Sequence, residues 1–451
     1  MKKLIRTLIV VISALCITVG FTACNMDLVE APEQPIDIEI DKNVQADLVA
    51  VVDNDGVEKM IVEELAEEFR KEYPNVTVDV VQNADVISYI RSGESVDLLS
   101  VIGENVSYYA SQDILTPLDE YMEAQKFDES AYYASMMELG RDSVSDKMYM
   151  MPRDYSRITC FYNKAIFDKC AVAYPQDTPE DPWTWDKFTE TCAALKSSSQ
   201  FPSNYVPVQA AMSYDILNWG IVASYGAESI LKDDFTLADA NSETYKQWQK
   251  GMLAAADMVT EGYSLDSRLY KATDFENGAA AMSFAVGAAS TTYKQKGIDY
   301  DVVPFPAIGT APKTPTGTCG YAIAKNSFNK NVTWAFLNFI MSEAGQKIIS
   351  EKGQLIPVLK ALAENEDSQW RKMTNGKGNP VDTAQFIKHT DRDVTATWFG
   401  KLPALARNAY SGFYKKFLTS VCDGNKSFAQ AHTVLTGQID EYKSNYPEYF
   451  V

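Results

Sequence analysis

The stretch KMYMMPRDYSRITCFYNKAIFDK, residues Lys147–Lys169, is the part of the sequence from which the rest of the chain is most easily placed. Its apolar start, Pro152 and the polar run from Arg153 to Arg157 predict a turn. The β-branched and aromatic residues Ile158–Tyr162 then predict a buried strand. We interpret the stretch as the point at which the chain turns from one half of the molecule to the other.

Length and charge limit the classes of protein to consider. The chain has 451 residues, which is too long for one ordinary hydrophobic core, so two lobes or domains are expected. With 46% apolar and 23% charged residues, the composition is that of a globular protein. The net charge of −20 argues against nucleic acid or an anionic membrane surface as a partner, because both would repel the protein.

The N-terminus carries a typical export signal. Three basic residues, Lys2, Lys3 and Arg6, precede the apolar run Leu8–Phe21, which is too short for a comfortable membrane span. The sequence FTAC that ends at Cys24 resembles the bacterial lipobox, although phenylalanine stands where leucine is usual. We therefore predict a signal peptide over residues 1–23 and a lipid-bearing Cys24. The alternative is a plain secretory signal in which Cys24 is incidental.

A polar segment follows the cysteine. Residues 25–47 are rich in Asp, Glu, Pro and Gln and poor in aromatic residues, a composition that favours a flexible chain. We predict a lipidated flexible tether over residues 24–46, which would hold the protein at the outer face of the cytoplasmic membrane.

Five cysteines remain after Cys16 is assigned to the signal and Cys24 to the lipid. They show no CxxC pair and no zinc-ligand spacing, so we interpret them mainly as small buried residues. Cys160 and Cys170 are the nearest candidates for a bridge, and the pairing of the five is left open.

An α/β rhythm begins after the tether. Leu48–Val52 predicts a strand, residues 57–73 an amphipathic helix, and Val76–Val81 and Val96–Ile102 two further strands. This order favours a largely parallel sheet, whose ligands lie beyond the carboxyl ends of the strands. Four polar residues follow those ends, namely Asp53, Asn54, Glu104 and Asn105.

Six segments carry a family resemblance. They are DLLSVIGENVSYYASQDILTPLDEYM from Asp97, KMYMMPRDYSRITCFYNKAIFDK from Lys147, PWTWDKFTETCAAL from Pro182, FENGAAAMSFAVG from Phe275, VVPFPAIG from Val302 and GYAIAKNSFNKNVTWAFLNFIMSEAGQ from Gly320. In this order, behind a lipobox, the chain resembles the bacterial extracellular solute-binding proteins that serve sugar importers of the ATP-binding cassette type.

The resemblance implies a fold of two α/β lobes, joined by a hinge that the chain crosses more than once and closing over a solute in the cleft between them. The N-terminal lobe would comprise residues 47–156 and 321–357, and the C-terminal lobe residues 157–320 and 358–451. The crossings would lie at Ser156–Thr159 and Thr318–Tyr321.

The resemblance also implies ligand-binding positions. The loops after the first and third strands and at the first crossing supply Asp53, Asn54, Asp55, Glu104, Asn105, Arg153, Asp154, Tyr155 and Ser156. The family commonly has a glycine followed by a sugar-stacking tryptophan where this chain has Gly287 and Ala288. The aromatic residues that could replace this contact are Trp219, Phe284, Tyr321 and Trp398.

The function implied is a monomeric receptor that passes a carbohydrate, an oligosaccharide in our interpretation, to a membrane permease without cofactor, metal or catalysis. A sugar offers an apolar face and a rim of hydroxyls, which suit a cleft with both aromatic and polar residues. Two alternatives stay open: a receptor for a polyamine or peptide, and a surface glycoside hydrolase, which needs only two carboxylates. His389 and His432 have neither a serine-elbow nor an HExxH context.

Overall fold

The computed structural model describes residues 34–53, 56–83, 89–90, 94–317, 319–353, 355–396 and 402–450. The predicted signal peptide, the lipidation site Cys24 and the predicted ligand contacts Asn54, Asp55 and Trp398 lie outside these residues.

The strands, numbered along the chain, are β1 (Ala46–Val52), β2 (Val76–Gln82), β3 (Leu98–Ile102), β4 (Met151–Pro152), β5 (Ile158–Asn163), β6 (Val206–Gln209), β7 (Ala280–Val286), β8 (Tyr300–Pro304), β9 (Thr314–Thr316), β10 (Cys319–Ile323) and β11 (Asp393–Thr395).

The α-helices are α1 (Gly56–Phe69), α2 (Val106–Ser111), α3 (Asp119–Gln125), α4 (Ala134–Leu139), α5 (Lys164–Cys170), α6 (Trp185–Ser197), α7 (Asp215–Ala223), α8 (Glu243–Thr260), α9 (Ala289–Gln295), α10 (Lys330–Met341), α11 (Glu343–Gly353), α12 (Lys360–Ala363), α13 (Ala404–Cys422) and α14 (Phe428–Asn445). In the part of the chain that the structure describes, no helix is both long and apolar enough to span a membrane.

Two sheets form the centres of two lobes. The first sheet has the strand order β2-β1-β3-β10-β4, with β1 parallel to β2 and β3 and with β10 antiparallel to β3. The second has the order β6-β7-β5-β8, with β5 antiparallel to both of its neighbours. The two-lobed α/β architecture is therefore as predicted, and the parallel part is confined mainly to the first sheet.

The hinge is made of three adjacent passages of the chain. The first passage, residues 153–157, joins β4 of the first sheet to β5 of the second. The second passage, residues 305–317, leads from β8 toward β10, and the third passage is β11, Asp393–Thr395. Within the second passage β9 pairs in parallel with β11, and Thr316 forms a bridge with Arg157. Because these three segments are hydrogen-bonded side by side, they form a single hinge.

Over residues 34–45 the structure differs from the predicted flexible tether. Residues 34–45 lie against the first lobe, where Ile36, Ile38 and Ile40 are partly buried against its core. Asp37 and Glu39, between these isoleucines, are exposed. Period-two spacing places all three isoleucines on one side of an extended chain. Overall composition does not reveal this alternation, because it takes no account of the order of the residues.

The five cysteines between Cys160 and Cys422 are free thiols. Four are buried and Cys319 is partly exposed. Burial raises the pKa of Cys160, which therefore behaves as a small apolar residue of the second lobe. The predicted small buried role is confirmed for those four, and the candidate bridge between Cys160 and Cys170 is absent.

Candidate functional site

The two lobes meet over Gly317 of the hinge. Glu104 of the first lobe stands on a 3-10 helix, Gly103–Asn105, that directly follows β3. Ile216 of the second lobe stands in the first turn of α7. A methyl group placed on Gly317 would lie 3.2 Å from Glu104 Oε1 and 3.0 Å from the Cδ1 atom of Ile216. Side chains of both lobes therefore converge on this point at the base of the cleft.

Two carboxylates of different lobes share this place. Burial raises the pKa of Glu104, and the nearby charge of Asp215 raises it further. Burial also raises the pKa of Asp215, while its hydrogen bond from the Ile216 amide, at 3.1 Å, and the charge of Lys415 oppose that rise. A ligand that supplies hydroxyl or ammonium donors would stabilise such a partly desolvated pair of like charges.

Tyr214 completes the cluster on the side of the second lobe. Its side chain is 47% exposed, so a ring face and a hydroxyl are available. The pKa of this phenol is raised by partial burial and by the nearby charges of Glu104, Asp215 and Cys319. The phenol therefore lies beside both carboxylates. The cluster thus combines acceptors, a neutral hydroxyl and an apolar ring face, the combination that suits a polyol ligand.

A buried ionic network lies behind the first-lobe side of the site. Arg153 Nε donates to Asp154 Oδ1 at 2.9 Å, and its Nη1 lies 3.5 Å from Glu58 Oε1. Ser100 Oγ also donates to Glu58 Oε1, at 2.7 Å. Since Glu58 belongs to the first turn of α1, the network fixes the start of that helix to the first crossing. Arg153 and Asp154 therefore bind each other and Glu58 within the protein, and this structure does not expose them as a pair on the cleft wall.

The next residues of the first crossing form the hinge itself. Tyr155 is 1% exposed, stacks on Tyr133 at 3.9 Å between ring centroids, and donates to Asp393 Oδ2 at 2.6 Å. Arg157 Nη2 lies 3.0 Å from Asp393 Oδ1. The carbonyl of Ser156 accepts the Gly317 amide at 3.3 Å. These contacts tie the first, second and third passages together.

A second contact joins the lobes beside the hinge. Arg407 of α13 donates to Ser143 Oγ of the first lobe and to the carbonyl of Leu402, the latter at 3.0 Å. Ser143 in turn receives support from Ser107 Oγ of α2, which accepts the Ser143 amide at 3.0 Å. The start of α13 is thereby held against the helix that follows Glu104.

Residues 64–375 match the family described as bacterial extracellular solute-binding protein, and they make up more than half of the chain. The chain belongs to this family. A hinge made of several adjacent passages and the convergence of two lobes on one cleft are what such a receptor requires.

Three solved structures share the fold of this solute-binding protein. The ABC substrate-binding protein of Listeria monocytogenes in complex with cycloalternan is 19% identical, with a TM-score of 0.71 over 89% of this chain and 100% of that one. The sugar-binding protein MalE of Xanthomonas citri is 16% identical, with a TM-score of 0.70 over 90% and 99%. UgpB of Mycobacterium tuberculosis in complex with glycerophosphocholine is 16% identical, with a TM-score of 0.69 over 89% and 99%.

The structure brings together only part of the site predicted for this solute-binding protein. Asp53, Glu104 and Asn105 follow the carboxyl ends of β1 and β3, so they lie at one edge of the first sheet. Asp53 is exposed, while Glu104 and Asn105 are half-buried. These three residues keep the placement that the strand order predicts.

The predicted aromatic contacts lie elsewhere. Trp219 is 1% exposed in the core of the second lobe, and Phe284 packs between Phe188 and Phe305 in the same core. Tyr321 is fully buried beside the Glu58 network. Gly287 faces Ile356 and Phe386 near the hinge. None of the three aromatic residues presents a ring face to the cleft, because the cores of the lobes need the same large side chains that a sugar would stack on.

Sequence reasoning missed the second-lobe side of the cluster. Tyr214, Asp215 and Ile216 lie between β6 and the body of α7. The available signal was positional, since polar residues between a strand and the following helix are frequent ligand contacts. Glu58 was missed because a glutamate in the first turn of a helix is usually explained by the helix dipole alone.

Two cavities lined by described residues lie away from this cleft. One, of about 330 Å³, is bounded by Ser350, Trp370 and Met373 among others. The other, of about 440 Å³, lies between α11 and residues 361–369. Neither includes Glu104, Tyr214 or Asp215, and we do not assign the solute to either of them.

Proposed function

We propose that this protein is the solute receptor of an ATP-binding cassette importer, and that it captures a carbohydrate, an oligosaccharide, by closure of its two lobes. The observation that carries the proposal is the convergence of Glu104 from the first lobe and Tyr214–Ile216 from the second over Gly317. The proposed contacts are Asp53, Glu104, Asn105, Tyr214, Asp215 and Ile216.

The chemistry of these side chains supports a sugar. The carboxylates of Glu104 and Asp215 can each accept two hydroxyl donors, and hydrogen bonds to charged groups are among the stronger ones. The half-exposed ring of Tyr214 and the aliphatic chain of Ile216 offer apolar surface for the face of a pyranose. Fold neighbours solved with cycloalternan, acarbose and maltotetraose support the same class.

Closure follows from the like charges of the two lobes. Without solute, bringing Glu104 and Asp215 together in a desolvated space is opposed by their repulsion. A solute that donates hydrogen bonds to both removes this cost only in the closed arrangement, and it therefore shifts the population toward closure. No bond in the solute needs to break, so we propose binding without turnover.

A cationic solute is the second candidate. The same two carboxylates would stabilise an ammonium group, so a polyamine or a basic peptide suits the charge of the site. Glycerophosphocholine in a fold neighbour shows that this fold also accepts a solute that is not a sugar.

We further propose that the exported protein is held at the outer face of the cytoplasmic membrane by lipid on Cys24 and works as a monomer with membrane permease subunits. The lobe boundaries near residues 156, 320 and 357 stay predictions, and strand pairing supports the first two. Contacts of Phe386 with Phe161, at 5.7 Å between ring centroids, support placing the chain after residue 357 on the second lobe.

A thermal-shift screen tests the proposal. Purified protein is heated with oligosaccharides, monosaccharides, polyamines and peptides, and we expect a rise in melting temperature with at least one sugar, because a ligand that binds only the native state stabilises it. Hits restricted to polyamines or peptides would refute the carbohydrate assignment. Release of shortened products from a bound sugar, detected by chromatography, would refute the receptor assignment.

A further inference from the structure

The segment before β1 has the pattern of a docked element. Ile36, Ile38 and Ile40 pack against the core of the first lobe, while Asp37 and Glu39 point to solvent. Val44 also packs against this core. An apolar side repeated over several residues gains from burial only when the chain stays on the surface that covers it. Residues 34–45 are therefore a strap, and we use that name below.

Hydrogen bonds hold the strap at both ends. At its start Gln34 Nε2 donates to the carbonyl of Phe328 at 2.5 Å, and Asn331 Nδ2 donates to the carbonyl of Pro35 at 3.0 Å. Asn331 is itself oriented by the hydroxyl of Tyr121, which donates to its Oδ1 at 2.9 Å. At the far end of the strap, Asn75 Nδ2 donates to the carbonyl of Asn43 at 3.3 Å.

The strap begins at the edge of the first sheet that faces away from the cleft. Cys319, at the start of β10, pairs with Ile102 beside Glu104, whereas Ile323, at its end, pairs with Leu98. Phe328 and Asn331, the partners of the start of the strap, come after Ile323. The strap therefore enters the lobe on its back edge.

The position of the strap shortens the link to the membrane. Ten peptide units separate Cys24 from Gln34, and fully extended they span at most about 35 Å. An undocked chain reaching to residue 46 would have 22 units and span about 75 Å. A lobe of roughly 250 residues is about 45 Å across, and the strands of the first sheet add about 20 Å. The second lobe thus cannot fit between the first lobe and the membrane while the strap is docked.

We propose that the strap sets the orientation of the anchored receptor: it keeps the back edge of the first lobe next to the lipid surface and leaves the second lobe as the part that swings on closure. This inference rests on the proposed lipid anchor at Cys24. It gives the strap a role in presentation of the cleft, separate from solute recognition.

Proteolysis tests whether the strap is docked, without lipid or solute. The exported chain with Cys24→Ser is treated with a glutamate-specific protease, and cleavage after Glu39 is timed. We expect cleavage at least about tenfold slower than in a synthetic peptide of residues 34–46, because a docked segment must detach before it enters a protease. The variant Ile36→Ser/Ile38→Ser/Ile40→Ser is expected to lose this protection. The matched variant Asp37→Ser, which changes an exposed side chain of the same segment, is expected to keep it. Equal rates in the protein and the peptide would overturn the proposal.

Energy transfer on liposomes tests the orientation. A donor dye is placed on Asp113→Cys, at the back edge near Lys325, or on Lys246→Cys in α8 of the second lobe, and acceptor lipids are placed in the bilayer. We expect stronger transfer from position 113 than from position 246, and a smaller difference in the triple isoleucine variant. Equal transfer from both positions in the protein with the unmodified strap would overturn the orientation.

Both tests proceed without solute, so failure of the sugar assignment does not affect them. Failure to attach to liposomes would count against the lipid anchor and not against docking of the strap.

Discussion

Arg157 Nη2 lies 3.0 Å from Asp393 Oδ1, and this ion pair joins the first passage of the hinge to the third. Both side chains are almost fully buried, at 2% and 4% exposure. Burial raises the pKa of Asp393, while the charge of Arg157 and the hydrogen bonds from Tyr155 and Ser135 oppose that rise. The pair is therefore a fixed internal joint of the hinge and takes no part in the solute site.

Removing one member of this pair should destabilise the protein strongly. We expect Asp393→Ala to lower the free energy of unfolding by about 3–5 kcal/mol, because it leaves the Arg157 guanidinium buried without its counter-charge. Urea unfolding measures the change. The exposed pair of Lys347 and Glu343, at 2.5 Å, supplies the control, and Glu343→Ala should cost less than about 1 kcal/mol. Equal effects of the two variants would contradict a special role for the hinge pair.

Glu104→Gln should stabilise the empty protein and weaken solute binding. The pKa of Glu104 is raised above its usual 4.5 in the folded state, so the native protein holds this proton more tightly than the unfolded chain does. The stability that the protein gains from protonating Glu104 is fully present below about pH 4.5, and it is lost as the pH rises through the raised pKa of this residue. The glutamine variant should therefore melt at a higher temperature than the parent at pH 7, and the difference should vanish near pH 4.

The same substitution should weaken binding of the solute found by the thermal-shift screen by about 10–100-fold, because a hydrogen bond to a charged acceptor contributes about 1.5–3 kcal/mol. Calorimetric titration at pH 7 measures this loss. The matched control is Glu190→Gln on the exposed side of α6, for which neither the melting temperature nor the affinity should change. Unchanged affinity in the Glu104 variant would show that this residue does not bind the solute.

Gly317→Ala tests the meeting point of the lobes. The new methyl group would lie 3.0 Å from Ile216 Cδ1 and 3.2 Å from Glu104 Oε1, so one of them must move for the arrangement to persist. A cost of about 1 kcal/mol for this crowding corresponds to a roughly fivefold weaker affinity. Gly437→Ala in α14, where a methyl group meets nothing within 4 Å, should leave affinity unchanged and stabilise the helix by about 1 kcal/mol. An affinity loss that is the same in both variants would show that the effect is not local.

Trp219 should affect stability and leave recognition unchanged. Because it fills the core of the second lobe, Trp219→Ala is expected to lower the free energy of unfolding by about 3–5 kcal/mol. Trp219→Phe, which retains most of the volume, should cost less and remain folded. Solute affinity of the folded Phe variant should stay within about twofold of the parent. A large loss of affinity in a variant that unfolds normally would show that Trp219 contacts the solute.

Several strands of both lobes follow directly from the sequence. The predicted strands Leu48–Val52, Val76–Val81 and Ile158–Tyr162 appear as Ala46–Val52, Val76–Gln82 and Ile158–Asn163. The run in β5 is continuous because every residue of this strand is buried, whereas β2 alternates covered and exposed residues because one of its faces is open to solvent. Both patterns remain recognisable in a single sequence. The turn from Arg153 to Arg157 is the predicted passage between the lobes, and it is recognisable because buried apolar residues flank it on both sides.

Only the tertiary structure decided which polar and aromatic residues face the cleft. Arg153, Asp154 and Tyr155 stand in the predicted turn, yet Glu58 and Asp393 from distant parts of the chain draw them inward. Asp215 becomes a partner of Glu104 through a meeting of lobes that no local pattern encodes. Periodicity indicates whether a residue is buried. Which residue buries it depends on contacts between segments that are far apart in the sequence, and the pattern of one segment does not contain that information.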